Sequence, residues 1–280
     1  MKFQALAGTG CVVGESPIWD EATAALLWVD IPRGIVHELA VATDARRSWH
    51  LEGPVGSIGL ATDGRLVVAR KHEVGLLDRA SGAYQSLAQV LPADPELRLN
   101  DGKVGPDGAF WVGSMHEATE RRPLGALFRV TPAGTVTCKR EGLFTSNGLA
   151  WSADGRMMFH SDSRACWIER WNFDPQTGSI SQQQRIATPQ ESDGRPDGAA
   201  VDKQGFYWSA GVSAGCLNRY APDGRLVARL LLPVAAPTMP CFGGDRRLYV
   251  TSLQSANGPL GPVVSTFTPV EGAPVARFAV

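Results

Sequence analysis

Short apolar runs recur along the chain, each preceded by a turn marker and set apart by polar, glycine-containing stretches. Asp20-Glu21 stands before Leu26-Leu27-Trp28-Val29, Asp63-Gly64 before Leu66-Val67-Val68, and Asp107-Gly108 before Phe110-Trp111-Val112. The series continues with Asp154-Gly155 before Met157-Met158-Phe159, Asp202 and Gly205 before Phe206-Tyr207-Trp208, and Gly244-Asp245 before Leu248-Tyr249-Val250. Successive turn aspartates lie 43, 44, 47, 48 and 43 residues apart. A second turn pair follows each run, at Thr43-Asp44, Ser81-Gly82, Ala133-Gly134, Thr177-Gly178, Asp223-Gly224 and Glu271-Gly272. Such pairs accept the positive φ angles of tight hairpins, and their β-branched and aromatic neighbours suit a pleated sheet. Every unit therefore predicts two hairpins.

Six units of this kind predict an all-β fold, a six-bladed β-propeller with four antiparallel strands per blade around a central channel. No Ser/Gly-rich or charged linker divides residues 1–280, so they are expected to form one domain, and 31 glycines and 19 prolines fit a chain of many turns. A pair of β-sandwiches would require the spacing to be accidental. Residues 3–6 are expected to close the ring by pairing with the last blade near residues 276–280. The tryptophans, among them Trp111, Trp151 and Trp208, are expected to fill space between blades.

Charge narrows the range of partners. The 27 basic residues nearly cancel the 28 acidic ones, and a net charge of -1 gives no general attraction to nucleic acid or to a membrane surface. No window approaches the roughly 18 apolar residues that cross a bilayer, and the start of the chain lacks a long apolar stretch. A cytoplasmic, monomeric protein is expected. Cys11, Cys138, Cys166, Cys216 and Cys241 are odd in number and scattered, so they are read as reduced and mostly buried rather than as a disulfide or C-x-x-C framework.

In a propeller the innermost strand of each blade lines the axis, so residues in one register converge from distant parts of the sequence. Counting back five to seven residues from the turn aspartates gives Glu15, Ser57, Asn100, Asn147 and Asp197. Four of these five are carboxylates or carboxamides, and each of those four lies next to, or two residues from, glycine or proline. A single Asn-Gly or Asp-Gly pair needs no role beyond its turn. Four in register gather two carboxylates and two amides in a confined channel, where they call for a cation or a dense hydrogen-bond network. A divalent ion with oxygen ligands is the simplest solution. Glu15, followed directly by Ser16-Pro17, has no turn role.

The stretches Gly14-Glu15-Ser16-Pro17-Ile18-Trp19, Arg98-Leu99-Asn100-Asp101-Gly102-Lys103, Ser146-Asn147-Gly148-Leu149-Ala150-Trp151, Pro196-Asp197-Gly198 and Cys241-Phe242-Gly243-Gly244 resemble the SMP-30/gluconolactonase/regucalcin-like family of sugar lactonases. The likeness spans nearly the whole chain. It implies hydrolysis of a sugar (aldono) lactone to the acid in sugar catabolism, with one divalent metal ion (Ca, Zn, Mn or Mg) as cofactor and a small-molecule sugar lactone as partner. By the same resemblance Glu15, Asn147 and Asp197 hold the metal, Asn100 lies beside it and contacts substrate, and Arg98 binds substrate hydroxyl or carbonyl oxygens. Glu117, in a stretch (Ser114-Met115-His116-Glu117-Ala118) that aligns with the family in two ways, is a further substrate contact.

Opening a lactone requires a polarised carbonyl, an activated water and a stabilised oxyanion. Asp197 is the catalytic candidate, one carboxylate oxygen holding the metal while the other takes a proton from water. Two other functions compete: a metal-dependent arylesterase or organophosphatase, which calls for a more apolar pocket and a second calcium, and a non-catalytic calcium-binding propeller, for which Arg98 would have no use. Gly211-Val212-Ser213-Ala214-Gly215 matches a nucleophile elbow, but strand-like residues flank it on both sides where the elbow needs a strand-to-helix turn, so it reads as a loop between strands. The five histidines lack metal-binding spacing. His116, at the expected channel mouth, is a candidate substrate contact.

Overall fold

The computed structural model describes every residue except Asn257, and at Asp245 the backbone alone. Six four-stranded antiparallel sheets are arranged as the blades of a β-propeller. Their innermost strands are Gly14–Asp20, Val55–Leu60, Leu97–Val104, Ser146–Trp151, Pro196–Val201 and Pro237–Phe242. The expected first turn of each unit joins the first and second strands, and in five blades the expected second turn joins the third and fourth. Both faces of the inner strands are covered, so Val55–Leu60 and Ser146–Trp151 are buried throughout, whereas outer strands such as Ala45–His50 and Ser179–Ala187 are mostly exposed. Apolar side chains pack between neighbouring blades: Ile18, Leu27 and Val29 of the first meet Ile58, Leu60 and Leu66 of the second.

The turn aspartates do more than turn the chain. Asp107 accepts hydrogen bonds from Trp111 Nε1 at 3.1 Å and Arg129 Nε at 2.6 Å, and Asp202 accepts from Trp208 Nε1 at 2.8 Å and Arg219 Nη2 at 2.6 Å. A buried indole N–H needs an acceptor, and the aspartate at the preceding turn supplies one. Trp111 and Trp208 thereby fill interblade space as expected.

Ring closure differs from the expectation in its partner. The sixth blade takes its outer strand, Gln4–Ala5, from the N-terminus, but the pairing strand is Val264–Phe267. Residues 276–280 instead run beneath blades 2 and 3, where Phe278 N–H donates to Leu60 O at 2.8 Å and Ala279 N–H donates to Gly108 O at 3.1 Å. Glu271-Gly272 likewise makes no hairpin; Ala273 N–H bonds to Val201 O at 2.8 Å on the fifth blade. Pro269 and Pro274 remove two N–H donors from the segment that follows Val264–Phe267, and Phe278 forms an isolated parallel bridge to Ala61. The Phe278 side chain is fully buried with Val67, Phe110 and Val112. Replacing it by alanine is expected to cost about 3–5 kcal/mol of unfolding free energy, read from urea denaturation.

Candidate active site

One backbone feature repeats in all six blades. The pairing of the inner strand with its neighbour slips at the same place each time, between Glu15 and Ile18, Val55 and Ser57, Leu99 and Gly102, Asn147 and Ala150, Pro196 and Ala199, and Pro237 and Pro240. Such a bulge bends the strand and re-aims a side chain. The residues facing the axis at this level are Glu15, Gly56, Asn100, Asn147, Asp197 and Thr238. All but the glycine line one cavity of about 260 Å³.

Two positions differ from the sequence reading. In the second blade Gly56, not Ser57, matches Glu15, because Val55 pairs with Arg70 as Gly14 pairs with Asp30. Ser57 lies one residue on, fully buried, its hydroxyl without a partner among the described residues. A Cβ at Gly56 would come within 2.6 Å of Leu99 O, so a side chain has no room there. In the sixth blade the ring is completed by Thr238, whose hydroxyl donates to Gly14 O and lies 2.8 Å from Thr251 Oγ1. Its sequence context, Pro237-Thr238-Met239-Pro240, lacks the carboxylate or amide that marked the others.

The axial groups are tied together across blades. Asn147 Nδ2 donates to Asp197 Oδ1 and to Ser163 Oγ, both at 2.7 Å. Asn100 Nδ2 donates to Ser146 O at 2.9 Å and Asn147 Oδ1 at 3.2 Å, while its own oxygen accepts from Arg98 Nη1 at 2.6 Å. Arg98 Nε in turn donates to Glu117 Oε1 at 2.6 Å. One chain of bonds thus runs from the rim to the axis through Glu117, Arg98, Asn100, Asn147 and Asp197. Beside Glu15, Ser16 holds a left-handed φ of 49°, a conformation that costs a non-glycine residue about 1–3 kcal/mol. Its hydroxyl accepts the Ile58 N–H at 2.9 Å, and its own N–H donates to Glu15 Oε2 at 2.8 Å.

Burial dominates the electrostatics. It raises the proton affinity of Glu15 well above the ordinary carboxylate range, and repulsion from Asp197 and Asp101 adds to it. Asp197 is pushed up to about 8 by burial and by Asp101, against the pull of Arg195 and Arg98. Asp101 is raised by burial too, although Lys103 opposes the shift. Lys103, half-buried, donates to Ala199 O at 2.7 Å and borders a separate, largely apolar cavity of about 310 Å³.

These groups fit a bound cation. Among the described residues, none of the three carboxylates forms an ion pair with a basic side chain, and Asp101 Oδ1 is buried without any hydrogen bond. Two unpaired carboxylates and an amide oxygen in one cavity are a hard-oxygen donor set. No cluster of three His, Cys, Asp or Glu side chains is found among the described residues, so the acidic pair Glu15 and Asp197 would be completed by Asn147.

Other expectations have plain outcomes. All five cysteines are free, three of them buried. The loop 212–215 joins two strands, as expected, and Ser213 Oγ accepts the Arg195 N–H at 2.8 Å and donates to Glu191 O at 2.7 Å. His116 is buried at the end of its strand, where Nδ1 accepts the Arg122 N–H at 3.1 Å; it braces the loop 117–123 and lies behind the cavity wall. Sequence reasoning missed Ser163, Arg121, Arg164 and Arg195, which line the cavity from loops at strand ends. Ser163, Arg164 and Arg195 are signalled only by position just outside an inner or second strand, and Arg121 lies five residues beyond its strand.

A profile of the family described as SMP-30/Gluconolactonase/LRE-like region matches residues 13–254. A 6-deoxy-6-sulfogluconolactonase of Pseudomonas putida is 34% identical over 96% of this chain and 95% of its own length. Regucalcin of Xenopus laevis is 32% identical, covering 90% and 87% of the two chains. The solved structure of a calcium-binding protein, regucalcin, from Agrobacterium tumefaciens superposes with a TM-score of 0.90 at 26% identity, over 99% of this chain and 97% of that one.

The raised carboxylates set a pH dependence. A group that binds its proton more tightly when folded stabilises the fold while protonated, and that stabilisation fades as pH rises from the ordinary carboxylate value toward the folded one. In the presence of a chelator, Tm is expected to fall between pH 5 and 8 by more in the wild type than in Glu15→Gln. A difference of at least about 3 °C at pH 8 is anticipated in differential scanning fluorimetry.

Proposed function

The chain belongs to the SMP-30/gluconolactonase/LRE-like family, and on that premise we propose that its axial site opens a sugar lactone to the corresponding acid with the help of one divalent metal ion, calcium, zinc, manganese or magnesium. The observation that carries the reading is the ring of Glu15, Asn100, Asn147, Asp197 and Thr238, delivered to one cavity by a bulge repeated in every blade. Glu15, Asn147 and Asp197 would hold the ion. When bound it supplies a Lewis acid that polarises the lactone carbonyl and stabilises the oxyanion.

The remaining steps belong to the protein. Asp197 Oδ1 is held by Asn147, which leaves the second carboxylate oxygen to take a proton from a water placed against the carbonyl carbon. Water adds to that carbon, the ring C–O bond breaks, and the departing ring oxygen takes the proton back. Among the described residues Arg98 Nη2 has no acceptor, whereas Nε and Nη1 are anchored on Glu117, Leu99 O and Asn100. A guanidinium fixed at two corners presents its third to a substrate hydroxyl or carbonyl at little entropic cost. Asn100 commits both amide hydrogens to Ser146 and Asn147, so its contribution is to set the angle of Arg98 and the axial amide. The cavity is smaller than the roughly 300–1,000 Å³ of sites for drug-sized ligands, which suits a single sugar. Its arginine-rich wall is unlike the apolar pocket an arylesterase needs.

Proton release should be followed on a panel of aldono-1,4- and 1,5-lactones with metal-stripped protein and each ion restored. Hydrolysis is expected only with metal, to be abolished in Glu15→Ala, and to fall by about a hundredfold or more in kcat for Asp197→Asn. Metal binding without turnover of any lactone would refute the reading.

A further inference from the structure

Four guanidinium groups line the axial cavity: Arg98, Arg121, Arg164 and Arg195. Two of them are neutralised. Arg98 pairs with Glu117 at 2.6 Å and Arg195 with Glu191 at 3.2 Å. The other two are not, among the described residues. Arg121 donates only to neutral atoms, Thr145 Oγ1 at 3.1 Å and Met115 Sδ at 3.9 Å, and the side chain of Arg164 has no acceptor. Desolvation lowers the Arg121 pKa, and the positive charges of Arg98, Arg164 and Arg195 lower it further, with Glu117 opposing them. The two carboxylates at the floor, Glu15 and Asp197, do not cancel this excess when the divalent ion they would hold is in place.

A cavity wall that concentrates like charges on a chain of net charge -1 is not explained by folding, since the same loops could carry any polar residue. Its placement is selective. Arg121 leaves the loop 117–123 that His116 braces, Arg164 follows the second strand of blade 4, and Arg195 is held by Ser213. Three separate segments thus bring cations to one side of the opening, where planar donors can bind an oxyanion bidentately. Arg121 and Arg164 are exposed at the mouth and Arg195 is half-buried, so an oxyanion bound there would gain from several donors at once and remain sensitive to salt.

We propose that the substrate is an anionic sugar lactone, carrying a phosphate, sulfonate or carboxylate at the end remote from the lactone carbonyl, and that Arg121 and Arg164, backed by Arg195, receive that anion while the carbonyl lies over the axial groups. The proposal rests on the lactonase reading for its chemistry and adds the charge of the substrate. Hydrolysis itself is unchanged: water adds at the carbonyl carbon and the ring C–O bond breaks, with the remote anion kept intact.

The test compares kcat/KM for neutral gluconolactone with its 6-phosphate, 6-sulfonate and 6-carboxylate counterparts, in wild type, Arg121→Gln, Arg164→Gln and the double variant, at low and high salt. At least one anionic lactone is expected to exceed the neutral one by about tenfold or more, which is the scale of one charge-assisted contact. That preference should collapse in the double variant and shrink with salt, and the preferred member identifies the anion. Equal use of neutral and anionic lactones, or a preference untouched in the double variant, overturns the proposal while leaving the lactonase reading intact. A second measurement separates the two. Glucose 6-phosphate and glucose 6-sulfonate, which contain no lactone, are expected to raise Tm where glucose does not, and the double variant should lose the effect. Should no lactone be turned over, the reaction assignment fails while this shift still decides the anion site: its presence in wild type and loss in the variant upholds the site, and its absence refutes it.

Discussion

Six inner strands converge on one axis, and each polar side chain delivered there leaves bulk water for a channel walled by the other five. That geometry makes every axial group depend on its neighbours. Glu15, Asp101 and Asp197 are three carboxylates within one electrostatic field, none of them ion-paired with a basic side chain among the described residues; burial drives all three proton affinities upward, and repulsion among the carboxylates adds to it at Glu15 and Asp197. A proton and a divalent cation would compete as counter-charge for such a site, because either relieves the cost of the buried negative charge. The fit of the ring to a cation rests on the lack, among the described residues, of an ion pair to these carboxylates as much as on the oxygen donors themselves.

The repeated bulge is the device that makes the ring possible. In a regular strand, alternate side chains point to opposite blade faces and none points along the radius. A slip at the same register in six blades turns one residue per blade inward, and the backbone tolerates it by specific local means: the left-handed Ser16 is anchored on Ile58, and Gly148 takes a φ of 67° where a Cβ would meet the Tyr207 hydroxyl at 2.3 Å. Gly56 keeps the second position empty because the third inner strand passes too close for any side chain. The side chains that line the cavity at this level therefore come from the other five blades.

Around that floor, the rim is built from loops whose anchors lie outside the cavity. Ser213, which the sequence presents inside an elbow-like glycine pattern, works as a bracket for Arg195 and for the short helix Glu191–Gly194. His116 braces the loop that carries Arg121. Floor and rim therefore answer to different constraints: the first to blade register and the second to loop contacts that can vary without disturbing the blades.

The period of turn aspartates and apolar runs by itself determined the propeller, the blade number and four of the axial residues, because a hairpin repeat with one inner strand per unit leaves little freedom in where each register position falls. Glu15, Asn100, Asn147 and Asp197 were legible for that reason. The tertiary structure alone decided that Gly56 rather than Ser57 occupies the second register, that Thr238 completes the ring, and that the chain closes through Gln4–Ala5 on Val264–Phe267 while residues 276–280 cross to other blades. It also decided which arginines share a cavity. Strand register follows from side-chain alternation that is written locally, whereas bulges, closure and the meeting of loop side chains depend on how close separate backbones approach, and no local pattern encodes that distance.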